Sequence, residues 1–363
     1  MPAAKQSILI VEDTPENIDI LNELLGSEYQ IRVALKGETA LKIVNKSPVD
    51  LILLDIMMPG MDGYEVCKRL KEDNNTCSIP VIFLTALFEE QNEAKGLALG
   101  AVDYITKPFT PELVKARVKN HLELKRHQDN LESMVQERTQ ELAVMQEITI
   151  ESLGTLAEYR DPETGGHIIR TKYFVKILSD HISKHPKFSS YLNEEVIDLL
   201  FKCAPLHDIG KVAVPDAILK KAGKLTVDEY EEMKKHTIYG YEALRAFETK
   251  LANNVFLNVA RELAYTHHEK YDGSGYPQGL KGDNIPISGR LMAIADVYDA
   301  LISKRVYKPP FSHKKSTQII LEGKGTHFDP VLVDAFLELE DTFRKIAFKY
   351  ADFDEERESL SLI

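Results

Sequence analysis

The chain has 363 residues, a formal net charge of −12 and 44% hydrophobic residues. This length suggests two or three domains, and the hydrophobic content is too high for a disordered chain. The acidic balance argues against a dedicated nucleic-acid binder, so we expect no DNA partner. The three cysteines show no ligand spacing and no stretch approaches about 20 consecutive apolar residues, so we expect a cytoplasmic protein without membrane attachment.

The first third of the chain alternates short apolar runs with amphipathic stretches. Continuously apolar runs are typical of parallel strands that are buried on both faces, and the stretches between them are typical of helices. The predicted strands are Ser7–Val11, Ile31–Ala34, Leu51–Ile56, Val81–Thr85 and Asp103–Thr106. This βα repeat predicts a doubly wound α/β fold with a five-stranded parallel sheet.

A long helical stretch follows, from Pro111 to about Tyr159, with Gly154 as its one strong breaker. Apolar residues recur within it at heptad spacing, at Leu124, Leu131, Val135, Leu142 and Met145, but Gln128 and Arg138 interrupt the pattern. We expect a coiled-coil-like linker that pairs with its twin in a parallel homodimer. A single solvated helix is the alternative.

The remainder of the chain shows helical periodicity and no strand pattern, so we predict an all-α domain. The clearest predicted helices are Leu192–Ala204, Thr226–Phe247 and Leu251–His268. Two loops rich in glycine and proline, Asp272–Pro286 and Tyr307–Ser312, interrupt this pattern.

Polar side chains stand at the carboxyl ends of four predicted strands. Glu12 and Asp13 follow the first strand, Asp55 ends the third, Thr85 ends the fourth and Lys107 follows the fifth. Because these ends meet at one edge of a parallel sheet, the acids predict a Mg²⁺ site. A lysine and a hydroxyl beside it are suited to hold a phosphoryl group.

The segments Asp55–Gly63 (DIMMPGMDG) and Tyr104–Phe109 (YITKPF) resemble those of response-regulator receiver domains, and the resemblance spans residues 7–125. It implies a cognate sensor histidine kinase that phosphorylates this domain. The implied site residues are Asp55 as phosphoacceptor, Glu12, Asp13 and Asp55 as Mg²⁺ ligands, Thr85 and Lys107 as phosphoryl contacts, and Tyr104 as the aromatic switch. The loop that carries Thr85 should then be pulled towards the phosphoryl group.

The second half concentrates histidines and acids in an ordered set. His207–Lys211 reads HDIGK, His267–Pro277 reads HHEKYDGSGYP, and Glu163 precedes His167 by four residues. Adjacent histidines on a helix point about 100° apart, so they serve two neighbouring metals more easily than one. A carboxylate beside a histidine, such as Asp208, can bridge two metals, and such pairs of metals promote phosphate-ester hydrolysis.

This ordered set resembles the HD-GYP subgroup of HD-domain phosphohydrolases, over residues 150–345. The resemblance implies hydrolysis of the 3′–5′ phosphodiester bonds of cyclic di-GMP to pGpG or GMP, with His207, Asp208 and Lys211 as catalytic residues. The implied metal ligands are Glu163, His167, His207, Asp208, His236, His267, His268 and Asp296. A glutamate at position 163 implies three metals rather than two, usually iron, with manganese as an alternative.

The same resemblance implies phosphate contacts at Lys211, Arg305 and Lys308, which suits an anionic diester. Taken alone, Arg305 and Lys308 read equally well as ordinary solvated charges. Tyr276 is expected to shape the pocket rather than to take part in catalysis.

The expected organisation is a receiver domain over residues 1–122, a helical linker over 123–150 and an HD-GYP domain over 151–363. Control by phosphorylation of Asp55 follows from this order, because no DNA-binding element follows the receiver. Two alternatives remain open. One is hydrolysis of a different cyclic dinucleotide, and the other is a module that binds cyclic di-GMP, or docks partners, without hydrolysing it.

Overall fold

The structure is a computed structural model that describes residues 5–86, 95–158, 166–246, 254–304 and 309–361. The chain divides into two compact units, Met1–Gln140 and Glu141–Ile363. Among the described helices, none combines the length and the hydropathy that crossing a membrane requires.

The first unit is built on a five-stranded parallel sheet with the strand order β2-β1-β3-β4-β5. Its strands are β1 (Ser7–Val11), β2 (Gln30–Ala34), β3 (Leu51–Asp55), β4 (Val81–Ala86) and β5 (Asp103–Lys107). Its described helices before residue 111 include α1 (Pro15–Leu25), α2 (Gly37–Val44) and α3 (Gly63–Glu72). The predicted doubly wound fold is therefore confirmed.

Both faces of this sheet are buried, which explains why the strands are continuously apolar. Along β1, Ile8 and Ile10 enter one core cluster while Leu9 and Val11 enter the cluster on the opposite face. All four side chains are fully buried. The parallel register brings the carboxyl ends of the strands to one edge, as the sequence predicted.

One continuous helix, α4 (Pro111–Glu158), runs for 48 residues from the first unit into the second. Its first turns pack on the sheet through Val114, Val118 and Leu122, which are buried. Further along, the apolar side chains at heptad spacing are exposed, namely Leu124, Leu131, Val135, Leu142 and Met145. Pairing of this helix with its twin stays a prediction.

The second unit is mostly helical. Its α-helices are α5 (Gly166–Ile182), α6 (Glu194–Cys203), α7 (Asp216–Leu219), α8 (Val227–Lys234), α9 (His236–Arg245), α10 (Val255–Thr266), α11 (Ile287–Ile302), α12 (His313–Glu322), α13 (Pro330–Glu338), α14 (Glu340–Lys349) and α15 (Asp354–Ser361). Short 3₁₀ helices occupy Ala204–Leu206, Ile209–Ala213 and Gly282–Asn284.

The predicted helix Thr226–Phe247 is in fact two helices, α8 and α9, that meet at Lys235. Side chains compete for the backbone at this junction. His236 Nδ1 lies 2.8 Å from the carbonyl oxygen of Met233, and Thr237 Oγ1 donates to the carbonyl oxygen of Lys234. These side-chain contacts compete with the backbone bonds of a continuous helix at the junction. Phe247 itself lies outside the described residues.

An aromatic core fixes two helices of the second unit. The rings of Phe174 on α5 and Phe343 on α14 stack at 4.5 Å, and the ring of Tyr298 on α11 meets both edge-on. All three side chains are fully buried. This packing holds α5 and α11 together, and each of these helices carries a predicted metal ligand, His167 on α5 and Asp296 on α11.

Gly210, inside the HDIGK segment, permits a close approach of two backbones. A Cβ atom at this position would lie 1.9 Å from the carbonyl oxygen of His236 and 2.4 Å from the amide nitrogen of Gly240. Backbone atoms cannot yield as a flexible side chain can. The glycine therefore lets the segment after Asp208 lie directly against α9, which carries His236.

We predict that Gly210→Ala destabilises the second unit by about 1–3 kcal/mol or more, because the added methyl group overlaps the backbone of α9. Gly240→Ala on α9 is the matched control, since its Cβ would make contacts of 3.4 Å or more, in the ordinary range. Alanine is favoured over glycine inside a helix, so the control should be neutral or stabilising by about 0.5–1 kcal/mol. Calorimetric unfolding of both variants measures the difference, and equal melting temperatures would contradict the close approach.

Candidate metal centre

The predicted receiver residues meet at the carboxyl edge of the sheet. Lys107 Nζ lies 2.8 Å from Glu12 Oε2 and 2.9 Å from Asp55 Oδ2. Glu12, Asp13 and Asp55 can each present a carboxylate oxygen within 4.8 Å of the others. Burial raises the pKa of Asp55, and the Glu12 charge adds to this although Lys107 opposes it. A divalent cation among these acids would relieve that repulsion, as hard oxygen sites for Mg²⁺ do.

The two predicted switch residues lie on the neighbouring strands. Thr85 on β4 pairs with Thr106 on β5, and its hydroxyl donates to the carbonyl oxygen of Ala86. The half-buried ring of Tyr104 lies under the guanidinium of Arg117, 5.0 Å from the ring centre. The structure shows where these side chains lie, and their switch roles stay predictions.

In the second unit, Asp208 stands between two sets of imidazole nitrogens. Its Oδ1 atom lies 3.2 Å from His236 Nε2 and 3.5 Å from His267 Nε2. Its Oδ2 atom lies 3.3 Å from His207 Nε2 and 2.9 Å from Lys211 Nζ. One carboxylate therefore faces both sets with different oxygens, which is the geometry of a bridging ligand.

One set of ligand atoms gathers Asp208, His236, His267 and His268, all within 4.8 Å of one another. The His267 and His268 rings lie 4.1 Å apart, and the ring of Tyr276 lies 4.8 Å from His268. Hydrogen bonds hold the loop that carries Tyr276, because the buried side chain of Glu269 accepts from the amides of Gln278 and Leu280. Tyr276 thus forms a wall beside this set.

The other set gathers His167, His207 and Glu158, again with ligand atoms within 4.8 Å. His167 Nε2 lies 3.4 Å from His207 Nε2 and 3.3 Å from Glu158 Oε1. Asp296 on α11 approaches from the side, with Oδ1 at 3.9 Å from His167 Nε2. His167, His207 and Glu158 are buried.

The second ring nitrogen of each central histidine is already engaged. Nδ1 of His207, of His236 and of His267 lies 2.9, 2.8 and 3.1 Å from the carbonyl oxygens of Ala204, Met233 and Ala264 respectively. A carbonyl oxygen only accepts, so Nδ1 must carry the proton. Each Nε2 then turns a lone pair into the site, as metal-binding histidines do.

For His167, a buried ion pair holds the Nδ1 proton and so directs the Nε2 lone pair into the site. Asp299 Oδ2 accepts from His167 Nδ1 at 2.8 Å, and the Arg170 guanidinium donates to both oxygens of Asp299. Burial by itself would raise the pKa of Asp299, but Arg170 and His167 hold it well below its usual value. The carboxylate is therefore ionised, and it orients the imidazole of His167.

The electrostatics favour neutral imidazoles at His267 and His268, beside an ionised carboxylate at Asp208. Burial lowers the pKa of His267 and of His268, and the neighbouring histidines lower both further. Burial opposes ionisation of Asp208, but Lys211 and His207 hold its pKa well below the usual value. Burial also disfavours charge on His207, although Asp208 raises its pKa overall. Metal binding requires neutral imidazoles and ionised carboxylates.

The donor set fits divalent metals. With the Nδ1 protons engaged, Asp208 Oδ1 and the Nε2 atoms of His236 and His267 turn lone pairs towards one another in a buried space. Such contacts are unfavourable unless a cation lies among them. Imidazole nitrogens and carboxylate oxygens are ligands that Fe, Mn and Zn accept.

The structure brings seven of the eight residues predicted as ligands to one place. These are His167, His207, Asp208, His236, His267, His268 and Asp296. The eighth, Glu163, lies outside the described residues, as do the predicted phosphate contacts Arg305 and Lys308. Lys211 is described, and it lies beside Asp208.

Three buried residues of the site were missed by sequence reasoning. Asp299 follows Asp296 by three positions on α11 and Arg170 follows His167 by three on α5, so helical spacing could have indicated both. Glu158 gave no such signal. The four-residue spacing from Glu163 to His167 drew attention to the later glutamate instead.

Comparisons with known proteins agree with this division. The response regulator receiver domain matches residues 8–119, and the HD domain matches residues 191–332. A probable cyclic di-GMP phosphodiesterase of Vibrio cholerae is 50% identical over 354 residues, which are 95% of this chain and 80% of that protein.

Two further relatives extend the comparison. The cyclic di-GMP phosphodiesterase response regulator RpfG of Xanthomonas campestris is 37% identical over 341 residues, covering 91% of this chain and 87% of its own. The 3′3′-cGAMP-specific phosphodiesterase 2 of Vibrio cholerae is 44% identical over 201 residues, covering 55% of this chain and 36% of its own.

The resemblance inferred from the DIMMPGMDG and HDIGK segments is thereby confirmed. The chain belongs to the family of response regulators that join a receiver domain to an HD domain, and whose named members include cyclic di-GMP phosphodiesterases.

Proposed function

We propose that this protein hydrolyses the 3′–5′ phosphodiester bonds of cyclic di-GMP, giving pGpG or GMP, under the control of phosphorylation at Asp55. The observation that carries the proposal is the position of Asp208, whose two oxygens face separate sets of imidazole nitrogens. Relatives that share nearly the whole chain bear the name of this activity.

We propose that the two sets of donors hold two or three divalent metals, iron or alternatively manganese, and that the receiver acids hold Mg²⁺. His167, His207 and Asp296 would serve one side of Asp208, and His236, His267 and His268 the other. Glu163 would add a ligand for a third metal. When bound, such metals act as Lewis acids on a phosphodiester and lower the pKa of water.

The side chains of the protein prepare the site for an anionic substrate. Lys211 lies 2.9 Å from Asp208 Oδ2, so it keeps this carboxylate ionised and places a positive charge where a phosphate oxygen would enter. The hydrogen bonds at Nδ1 keep the imidazoles fixed before substrate binds. Arg305 and Lys308 are proposed to grip the phosphates, on the resemblance alone.

Control would begin at Asp55. Phosphorylation by a sensor histidine kinase would add negative charge beside Lys107, the cation that already contacts Asp55. The helix α4 then continues from this unit into the next. We propose a homodimer formed through the exposed apolar residues of α4 and through the receiver, and a cytoplasmic location, with which the three free cysteines agree.

Metal dependence and substrate turnover can be measured together. Protein purified without oxygen and loaded with iron or manganese should convert cyclic di-GMP, and a chelator should abolish the turnover. His207→Ala should lower kcat by at least about 100-fold, because it removes a donor from the centre. Product chromatography and metal analysis measure both effects.

His185→Ala provides the matched control, because His185 is exposed and is not among the grouped metal donors. It should leave turnover and metal content unchanged. If metal-loaded protein left cyclic di-GMP intact and His207→Ala behaved identically, the proposed hydrolysis would be wrong. Tight binding of cyclic di-GMP without turnover would favour a sensing module instead.

A second substrate deserves the same test, because one relative is named as specific for 3′3′-cGAMP. That relative matches 55% of this chain, whereas two relatives named for cyclic di-GMP match 95% and 91% of it. We expect cyclic di-GMP to show the higher kcat/KM. A higher value for 3′3′-cGAMP, measured with the same protein, would reverse the assignment.

Control of turnover by the receiver can be tested directly. Phosphorylation with a small phosphodonor, or binding of a beryllofluoride mimic, should change the turnover of the wild-type protein. Asp55→Asn should abolish the response, and Lys107→Met should weaken it because it removes the lysine that contacts Asp55. Equal turnover with and without the mimic in the wild-type protein would argue against coupling.

A further inference from the structure

Glu158 occupies a position in the metal centre that no family motif assigned to it. It is the last residue of α4, and its side chain is buried, with 2% of the residue exposed. Its Oε1 atom lies 3.3 Å from His167 Nε2, and its ligand atoms group with those of His167 and His207. A carboxylate oxygen beside two imidazole nitrogens is a donor that a divalent metal accepts.

The proton of His167 lies on the opposite side of its ring. Asp299 is held by Arg170 and accepts from Nδ1 of His167, so the Nε2 lone pair faces Glu158. His207 directs a second Nε2 lone pair to the same place, 3.4 Å from that of His167. Two imidazole nitrogens and one carboxylate oxygen that converge in this way are the donors that a divalent metal accepts.

We propose that Glu158 is a metal ligand of this protein, completing the half of the centre that contains His167 and His207. The inference rests on the proposed metal-dependent function and adds a residue to it. Glu163, implied by the family resemblance, would then be a separate carboxylate.

The structure explains how the end of α4 is brought to this point. A Cβ atom at Gly154 would lie 2.5 Å from the carbonyl oxygen of Pro205, so α4 passes directly over the turn that leads to His207. One and two turns earlier, Glu151 and Glu147 contact Lys172 on α5, the helix that begins beside His167. These contacts position Glu158 between its two proposed co-ligands.

The proposal gives α4 a second role. The helix packs on the receiver sheet through Val114 and Val118 and ends in a ligand of the metal centre. If phosphorylation moves this helix, the movement would therefore displace a ligand that belongs to the same helix.

The decisive experiment measures metal content and metal affinity, independently of turnover. Wild-type protein and Glu158→Gln are prepared without oxygen, loaded with Mn²⁺, and compared by elemental analysis and by titration calorimetry. Glutamine keeps the shape of the side chain but removes its charge.

We expect Glu158→Gln to lose one bound metal, or to bind it at least about tenfold more weakly. Glu158→Asp, which keeps the charge on a shorter side chain, should fall between the two.

Glu137→Gln is the matched control, because it makes the same chemical change on α4 at an exposed position well before the helix reaches the centre. It should retain all metals. Circular dichroism tests whether each variant is folded. If Glu158→Gln is unfolded, the metal titration of Glu158→Asp decides alone.

Full metal content and unchanged affinity in the folded Glu158 variant would overturn the inference while leaving the proposed function intact. Wild-type protein that binds no metal would instead refute the proposed function. Glu163→Gln distinguishes the two acids: if it alone loses the metal, the ligand is Glu163 and the inference about Glu158 is wrong.

Discussion

The organisation of the second unit depends on one carboxylate, Asp208, that faces two sets of nitrogen donors. Burying this charge is costly unless positive charge surrounds it, and Lys211 supplies only part of what is needed. The Nε2 atoms of His236 and His267 bring lone pairs rather than protons to its other oxygen, because their Nδ1 protons are engaged by carbonyl oxygens. A carboxylate charge and two nitrogen lone pairs therefore meet at one point. Metal binding and folding should be coupled there.

The surrounding structure orients one of these donors, His167, through a buried hydrogen-bond network. Arg170 is fully buried, yet its guanidinium bonds to Asp299, Asp352, Ser303 and the carbonyl oxygen of Tyr350. Breaking a buried pair of this kind leaves an unpaired charge and costs several kcal/mol. The network joins α5, α11 and the segment before α15, so the ring of His167 is oriented by residues distant in the chain. Binding geometry is thus set by tertiary structure rather than by any one motif.

Sequence patterns were sufficient for the fold because each rule involved was local. Continuous apolar runs marked the strands, and strand ends placed Glu12, Asp55 and Lys107 together. The HDIGK and HHEKYDGSGYP segments identified histidines that do converge. Local rules failed where long-range packing decides. The predicted helix from Thr226 divides because His236 and Thr237 bond to the preceding carbonyl groups, and Asp299 acquires its role only through Arg170. Glu158 follows no motif, since its position depends on how the end of α4 passes over Pro205.

The continuity of α4 determines what a signal at Asp55 could change. A helix of 48 residues transmits rotation and translation along its axis more readily than a flexible linker would, because its backbone is fully hydrogen-bonded. Distances between a metal and its ligands fall within about 0.2 Å of characteristic values. If the helix ends in a ligand, a shift of its last turn relative to His167 and His207 would alter the centre. Control would then act on metal coordination itself, and affinity for metal, as well as turnover, would respond to phosphorylation.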